Sequence, residues 1–291
     1  MRQIKIDPKT TMPRAHAEQD DRVAGSLSGC IPQRASVPQL QTRTFTVLGV
    51  RVNAIQIPDV VEQMERWICD RQGYHFIAVT GMHGVTEAQH EPSFKQILNS
   101  ADLVVPDGMP LVWLGRRQGY SIERRVYGPE LMQTFCSVTG SKYRHFFYGG
   151  KPGVPTLLAE ILQKNFGIDV VGICSPPFRT LSKEEDEEMT AQINVARPDV
   201  LWIGLSTPKQ ERWMHEHRTK LQVPIAVGVG AAFDLNSGRT KQAPQWMREH
   251  GLEWSFRLWL EPRRLWRRYV IYGSEFVRKV VWEILSSRRL H

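Results

Sequence analysis

From Thr44 onward, short runs of β-type residues alternate with segments of helical periodicity, and this alternation restricts the chain to few architectures. The β-type runs fall at 45–48, 75–79, 103–105, 145–148, 169–174, 200–204 and 225–229. Helix-like stretches lie between most of them. Within 59–69, Val60, Val61, Met64, Trp67 and Ile68 gather on one face. Ser182 and Glu185 form a capping box for a helix running to about Ala196. Strands joined through helices pair in parallel, so the expected fold class is α/β, a largely parallel sheet with helices on both faces. In such sheets ligands bind beyond the carboxyl ends of the strands. The residues directly after each strand therefore carry the functional argument.

The two ends of the chain read differently. Residues 1–43 are polar, rich in Gln, Arg, Ser and Pro, and lack periodicity; a disordered tail is expected there. Residues 44–254 form the expected core. In 255–291 no strand is evident, and Leu265, Trp266, Tyr269, Val270, Phe276, Val277, Val280 and Val281 recur at helical spacing. Basic residues fall between them. Residues 257–291 hold nine Arg or Lys against three Glu, most of the net charge of +8. This C-terminal basic amphipathic helical appendage has three readings: a packing helix with a solvated basic face, a surface for nucleic acid, or an element lying on an anionic membrane. No apolar stretch approaches the roughly 20 residues of a membrane span, and no signal-peptide core follows the N-terminus. Cys30, Cys69, Cys136 and Cys174 form no CxxC pair, which fits reduced thiols in a cytoplasm. The last three sit among apolar neighbours and are expected to be buried.

Five segments follow strands. Thr80-Gly81-Met82-His83 enters a helix whose free N–H groups suit a phosphate or carbonyl; His83 and Glu87 have the spacing of a helix-surface pair. Pro106-Asp107-Gly108 puts a carboxylate at a strand end, where it is either a general base or a turn residue. Gly149-Gly150-Lys151-Pro152-Gly153 is a phosphate-permissive loop or a plain turn, and is neither GxGxxG nor a P-loop. In Ser206-Thr207-Pro208-Lys209-Gln210-Glu211, Thr207 is placed to cap a helix with Pro208 at its first position, which sets Gln210 in the first turn. In Gly228-Val229-Gly230-Ala231-Ala232-Phe233-Asp234, small residues permit close backbone approach, and Asp234 either holds a sugar hydroxyl or caps the turn. No D-x-D, HExxH or clustered metal set occurs. A glycosyl transfer on such a chain would neutralise its leaving diphosphate with Arg and backbone N–H groups.

These segments, in this order, resemble the WecG/TagA/CpsF family of bacterial glycosyltransferases. The specific pieces are ADLVVPDGMP from Ala101, RVYG from Arg125, STPKQERW from Ser206, GVGAAFD from Gly228 and APQWMREHGLEWSFRLWLEPRRLWRR from Ala243. The resemblance covers the chain from about Phe45. It implies a Rossmann-like core and an inverting, metal-independent transferase needing no cofactor. The enzyme would move a sugar from a UDP-sugar to an undecaprenyl-diphosphate-linked saccharide, in surface or exopolysaccharide biosynthesis. It would work in the cytoplasm, peripheral on the inner face of the membrane. The resemblance further implies Asp107 as general base and Thr80 as the other catalytic residue, with Arg125, Gln210, Gly230 and Asp234 binding substrate. The arginines serving the nucleotide diphosphate would fall among Arg257, Arg264 and Arg267. Members that transfer N-acetylmannosamine often carry TxN in the first loop, where this chain has Met82. The donor could be a hexose or an N-acetylhexosamine; the expectation leans to a hexose.

The competing classes are a basic nucleic-acid-binding protein and a non-catalytic membrane scaffold. The first lacks an RRM, HTH or KH signature, so no nucleic-acid partner is expected. Self-association that shields the basic helices is a further expectation, as a homo-oligomer.

Overall fold

A computed structural model describes residues 43–287, apart from the side chains of Glu249 and Arg264. The expected tail at 1–43 lies outside the described residues except for Arg43, and Cys30, Arg288 and Arg289 lie outside them too. The described residues belong to one compact unit.

Among the described residues there are eight strands: β1 Thr44–Val47, β2 Val50–Asn53, β3 His75–Thr80, β4 Leu103–Pro106, β5 Arg144–Gly149, β6 Asp169–Cys174, β7 Val200–Gly204 and β8 Ile225–Gly228. The helices between them are α1 Ile57–Asp70, α2 Met82–His90, α3 Pro92–Asn99, α4 Met109–Arg117, α5 Gly128–Thr139, α6 Val154–Phe166, α7 Lys183–Ala196 and α8 Lys209–Glu216. After β8 follow α9 Ala232–Asn236, α10 Gln245–Glu249, α11 Glu253–Leu260, α12 Pro262–Trp266, a π-helical turn Arg267–Ile271 and α13 Tyr272–Ser287.

Six strands form one parallel sheet in the order β4-β3-β8-β7-β5-β6. The expected α/β class is therefore present. The first run, read from sequence as another strand of the alternation, is not in this sheet. β1 pairs antiparallel with β2, a strand the sequence pattern did not reveal. Leu48 and Gly49 turn the pair with φ of 50° and 77°. A two-residue loop with both φ positive matches the twist of a hairpin, and a parallel partner cannot be reached through so short a link. The hairpin joins the body where the Asn53 side chain accepts from the Val104 N–H at 2.8 Å.

Period-2 burial produces two cores, one per sheet face. Phe76, Ala78, Val104, Leu201 and Ile203 enter one, with Val85 and Leu98 from α2 and α3. Ile77, Val79, Val105, Trp202 and Val227 enter the other, with Met64, Leu131 and Leu158 from α1, α5 and α6. Strands covered on both faces read as apolar runs, which is why β4 and β8 were visible in the sequence. The capping box at α7 also forms: Ser182 Oγ accepts from Glu185 N–H, and Glu185 accepts from Ser182 N–H at 2.9 Å.

The C-terminal helices dock on the first core. Phe276 and Val280, four apart on α13, are buried there against α2. Burial of each stabilises the docking by about 1.5–3 kcal/mol. The opposite side of α13 leaves Val277, Val281, Trp282 and Leu285 exposed. No helix among the described residues is long and apolar enough to cross a membrane. Of the cysteines expected to be buried, only Cys136 is; Cys69 is exposed at the end of α1 and Cys174 half-buried on the edge strand β6. The apolar neighbours of Cys69 turn inward on the helix while the thiol turns out.

Candidate active site

All six strands of the sheet run the same way, so the segments after β3, β4, β7 and β8 meet at one edge. The backbone ladder continues one step past the strands. Asp107 N–H donates to Thr80 O at 2.9 Å, and Val126 N–H donates to Pro106 O at 2.8 Å. These two bonds bring Asp107 beside Thr80 and carry Arg125 alongside. Gly108, with φ of 131°, lets the chain leave Asp107 directly into α4. The fit is tight: a Cβ on Gly81 would lie 2.4 Å from Asp107 O.

A cavity of about 490 Å3 opens at this edge. The anticipated residues Asp107, Gln210, Gly230, Asp234, Arg257 and Arg267 all line it. Thr80 is buried behind the wall, its Oγ1 without a hydrogen-bond partner. Arg125 lines the adjoining cavities instead. The side chain of Arg264 is outside the described set, so its assignment remains an expectation. The glycine-rich loop after β5 lies elsewhere, where Gly150 lines a separate cavity with Phe178.

Asp107 keeps part of its surface open to the cavity but is otherwise packed around. Burial is the largest influence on its carboxyl and lifts the pKa to about 6. Arg125, Arg268 and Arg257 pull in the other direction, while the Glu253 carboxylate pushes the same way as burial. A carboxylate poised near neutrality suits proton abstraction.

Gln210 sits in the first turn of α8, as expected. The cap differs from the sequence reading. Pro208 precedes the helix, after a cis peptide bond with Thr207, and Thr207 donates to the Glu211 carboxylate at 2.7 Å rather than capping the backbone. A side-chain acceptor one turn along captured the hydroxyl. Gln210 Nε2 donates to Gly228 O at 3.0 Å, leaving its Oε1 buried and unpartnered. Gly230, with φ of 51°, stands next to that oxygen; a Cβ there would lie 3.4 Å from it. Asp234 makes no turn-capping side-chain bond among the described residues, which leaves its carboxylate to the cavity.

Further residues lining these cavities escaped the sequence reading. His83 has the spacing of a helix-surface partner of Glu87. Its ring instead packs against Tyr272 at 5.1 Å and lines the cavity. Burial first, then Arg268, lower its pKa to about 3, so it is neutral, and its Nδ1 is buried without a partner. Arg268 lines the cavity beside Arg267. The π-helical turn, closed by Tyr272 N–H to Arg267 O, brings these successive residues to the same wall. The sequence shows an arginine pair but not this phase. Glu253, buried at the start of α11, ion-pairs with Arg125 and accepts from the Tyr127 hydroxyl at 2.6 Å. Arg125 also stacks over the Tyr127 ring at 4.2 Å. Asp107 and Glu253 hold the Arg125 guanidinium charged although burial opposes it, and Tyr127 is raised by burial first.

A smaller cavity of about 120 Å3 adjoins the first and shares His83, Asp107, Tyr127, Arg257 and Arg268 with it. Asp107 thus stands in the wall between two spaces. Buried polar atoms without partners mark places where a ligand completes the bonding. Here they include Thr80 Oγ1, His83 Nδ1 and Gln210 Oε1.

A parallel sheet with a half-buried, raised carboxylate at its carboxyl edge and arginines lining the same cavity has the chemistry of a group-transfer site for an anionic substrate. The chain belongs to the WecG/TagA/CpsF family of glycosyl transferases, whose model matches residues 45–290. It is 29% identical over 238 residues to an N-acetylglucosaminyldiphosphoundecaprenol N-acetyl-beta-D-mannosaminyltransferase of Bacillus spizizenii, covering 81% of this chain and 90% of the relative. Proteins of the same description from Bacillus subtilis and Staphylococcus aureus are 26% and 24% identical, over 78% of this chain and 87% and 88% of theirs.

Proposed function

We propose that the chain transfers a hexose from a UDP-sugar to a saccharide on undecaprenyl diphosphate, with inversion and without a metal. The observation that carries this reading is Asp107 in the wall shared by two cavities, with Arg257 and Arg268 lining both. Asp107 takes the proton of the acceptor hydroxyl. The hydroxyl oxygen bonds to the sugar C1 as the C1–O bond to the diphosphate breaks, and UDP leaves with the electron pair. Arg257, Arg267 and Arg268 offset the charge that develops on it. The unpartnered Gln210 Oε1 receives a hydrogen bond from the donor. The relatives' names support the polyprenyl-linked acceptor.

Met82 supports a hexose over an acetamido sugar, because it offers no hydrogen-bond donor where family members that transfer N-acetylmannosamine often carry Asn. The C-terminal helices support work at a membrane surface, with Trp259 and Trp282 exposed beside exposed Arg263 and Arg278.

The test is UDP release from a panel of UDP-sugars, with and without a synthetic glycosyl-diphospho-lipid. Acceptor-dependent release from one UDP-hexose is expected. Release from an N-acetylhexosamine donor alone would overturn the donor assignment. Activity is expected to survive EDTA; loss restored by a divalent ion would overturn metal independence.

A further inference from the structure

Next to the smaller cavity, and sharing Met109, Arg125 and Tyr127 with it, lies a third cavity of about 540 Å3. Its other lining residues include Arg116, Arg124 and Arg248, so four guanidiniums face two carboxylates, Glu123 and Glu130. The arginines are held but not used up. Arg116 is aimed by its Nε and Nη2, which donate to Ile122 O at 2.7 Å and Glu123 O at 2.6 Å. Arg124 approaches Glu130 only to 3.6 Å. Arg248 Nε is buried with no partner. Each guanidinium carries five donors in a fork that matches phosphate oxygens. A buried donor without an acceptor, on a wall with excess positive charge, calls for an anion.

The position of the cavity selects which anion. An acceptor whose hydroxyl meets Asp107 in the smaller cavity carries its diphosphate on the far side of one sugar ring, which leads past Arg125 into the arginine-lined space. An apolar feature stands on the helix that lines this cavity. Met109 and Arg116 line the cavity from α4, and Trp113 lies between them at i+4 on that helical stripe, its indole about half exposed. A diphosphate continued by a prenyl chain matches guanidiniums followed by an exposed indole.

We propose that this cavity is the subsite for the acceptor's prenyl diphosphate, with Arg124 and Arg248 gripping the phosphates and Trp113 meeting the first isoprene units. The assignment rests on the transfer reaction proposed above and adds the location of its second anion.

The experiment titrates farnesyl diphosphate, and separately inorganic pyrophosphate, into the full chain with the main cavity saturated by UDP. Farnesyl diphosphate is expected to bind alongside UDP. Arg124→Gln and Arg248→Met are each expected to weaken it about tenfold, and the double variant about a hundredfold, with UDP affinity unchanged. Arg248→Lys should recover part of the loss, which a folding defect would not allow. Trp113→Ala should weaken farnesyl diphosphate and leave pyrophosphate unaffected. In turnover, the arginine variants should raise the acceptor KM and leave the donor KM unchanged. Three results overturn the proposal: no farnesyl diphosphate binding beside UDP, binding that persists in the double variant, or loss of UDP affinity in that variant. Equal affinity for pyrophosphate and farnesyl diphosphate overturns the prenyl assignment, since the cavity would then serve free diphosphate. Absence of turnover with every donor would sink the transfer reaction instead, and the binding result would stand or fall by itself.

Discussion

The two halves of the site are held in different ways. On the sheet side, Asp107 is fixed by the backbone: its N–H extends the β3–β4 ladder, and the segment behind Arg125 is tied to Pro106. Glycines close the space around it, and both sheet faces are covered by core. On the helical side, Arg257, Arg267 and Arg268 hang from α11 and the π-helical turn. Side chains fasten those helices: Glu253 to Arg125 and Tyr127, Phe276 and Val280 to the first core, and Glu275 to His90 at 2.8 Å. The proposed base is thus part of the fold, while the cations arrive on a docked element. Damage to the docking should therefore impair catalysis before it unfolds the protein.

The largest expected effect lies on the sheet side. Asp107→Asn should lower turnover by about 10²–10⁴-fold in the UDP-release assay, because the base is gone while the ladder remains. The same variant tests the electrostatics. The folded carboxyl has a raised pKa of about 6, so ionising it costs stability. That cost is absent below the unfolded value near 4 and is complete once pH has risen through about 6. The Asn variant should then be more stable than wild type by about 1–3 kcal/mol at pH 8, with the gap closing toward pH 4. Equal denaturation midpoints at both pH values would show that the carboxylate is solvated.

On the helical side, Arg257→Gln should lower kcat about a hundredfold with the midpoint of unfolding nearly unchanged. Comparable losses in kcat and stability would erase the distinction between the two halves. Glu253→Gln probes the seam, and a loss of about tenfold in kcat/KM is expected at neutral pH. Glu253 holds Asp107 high, so the acid limb of the pH profile should move below about 6 in this variant. A limb that stays in place would mean that Glu253 acts only by docking α11. The smallest effect on chemistry is expected from Trp259→Ser with Trp282→Ser. Binding to anionic vesicles should fall, measured by co-sedimentation, while turnover of a short, soluble acceptor holds. Unchanged vesicle binding would remove the membrane role of these indoles.

Much of the sheet side was legible in the residues. Strands buried on both faces are continuous apolar runs, the α7 cap has a side-chain signature, and an Asp-Gly turn after a buried strand marks a ligand edge. The hairpin was not legible, because β2 has only four residues, Val50–Asn53, and its pairing depends on the Leu48–Gly49 turn. The place of His83 was not legible for a related reason. Spacing puts it beside Glu87 on α2, but the face it shares with Tyr272 exists only once α13 has docked.

By itself, the order of residues determined the elements, the α/β class and the carboxylate at the strand end, since each follows from local periodicity or turn chemistry. Tertiary structure alone decided the strand order, the meeting of Glu253 with Arg125 across 128 positions, and the phase that turns both Arg267 and Arg268 to the cavity. Those contacts join segments with no local sequence relation. Their energy comes from desolvation and charge pairing, which act only after the chain has folded back on itself.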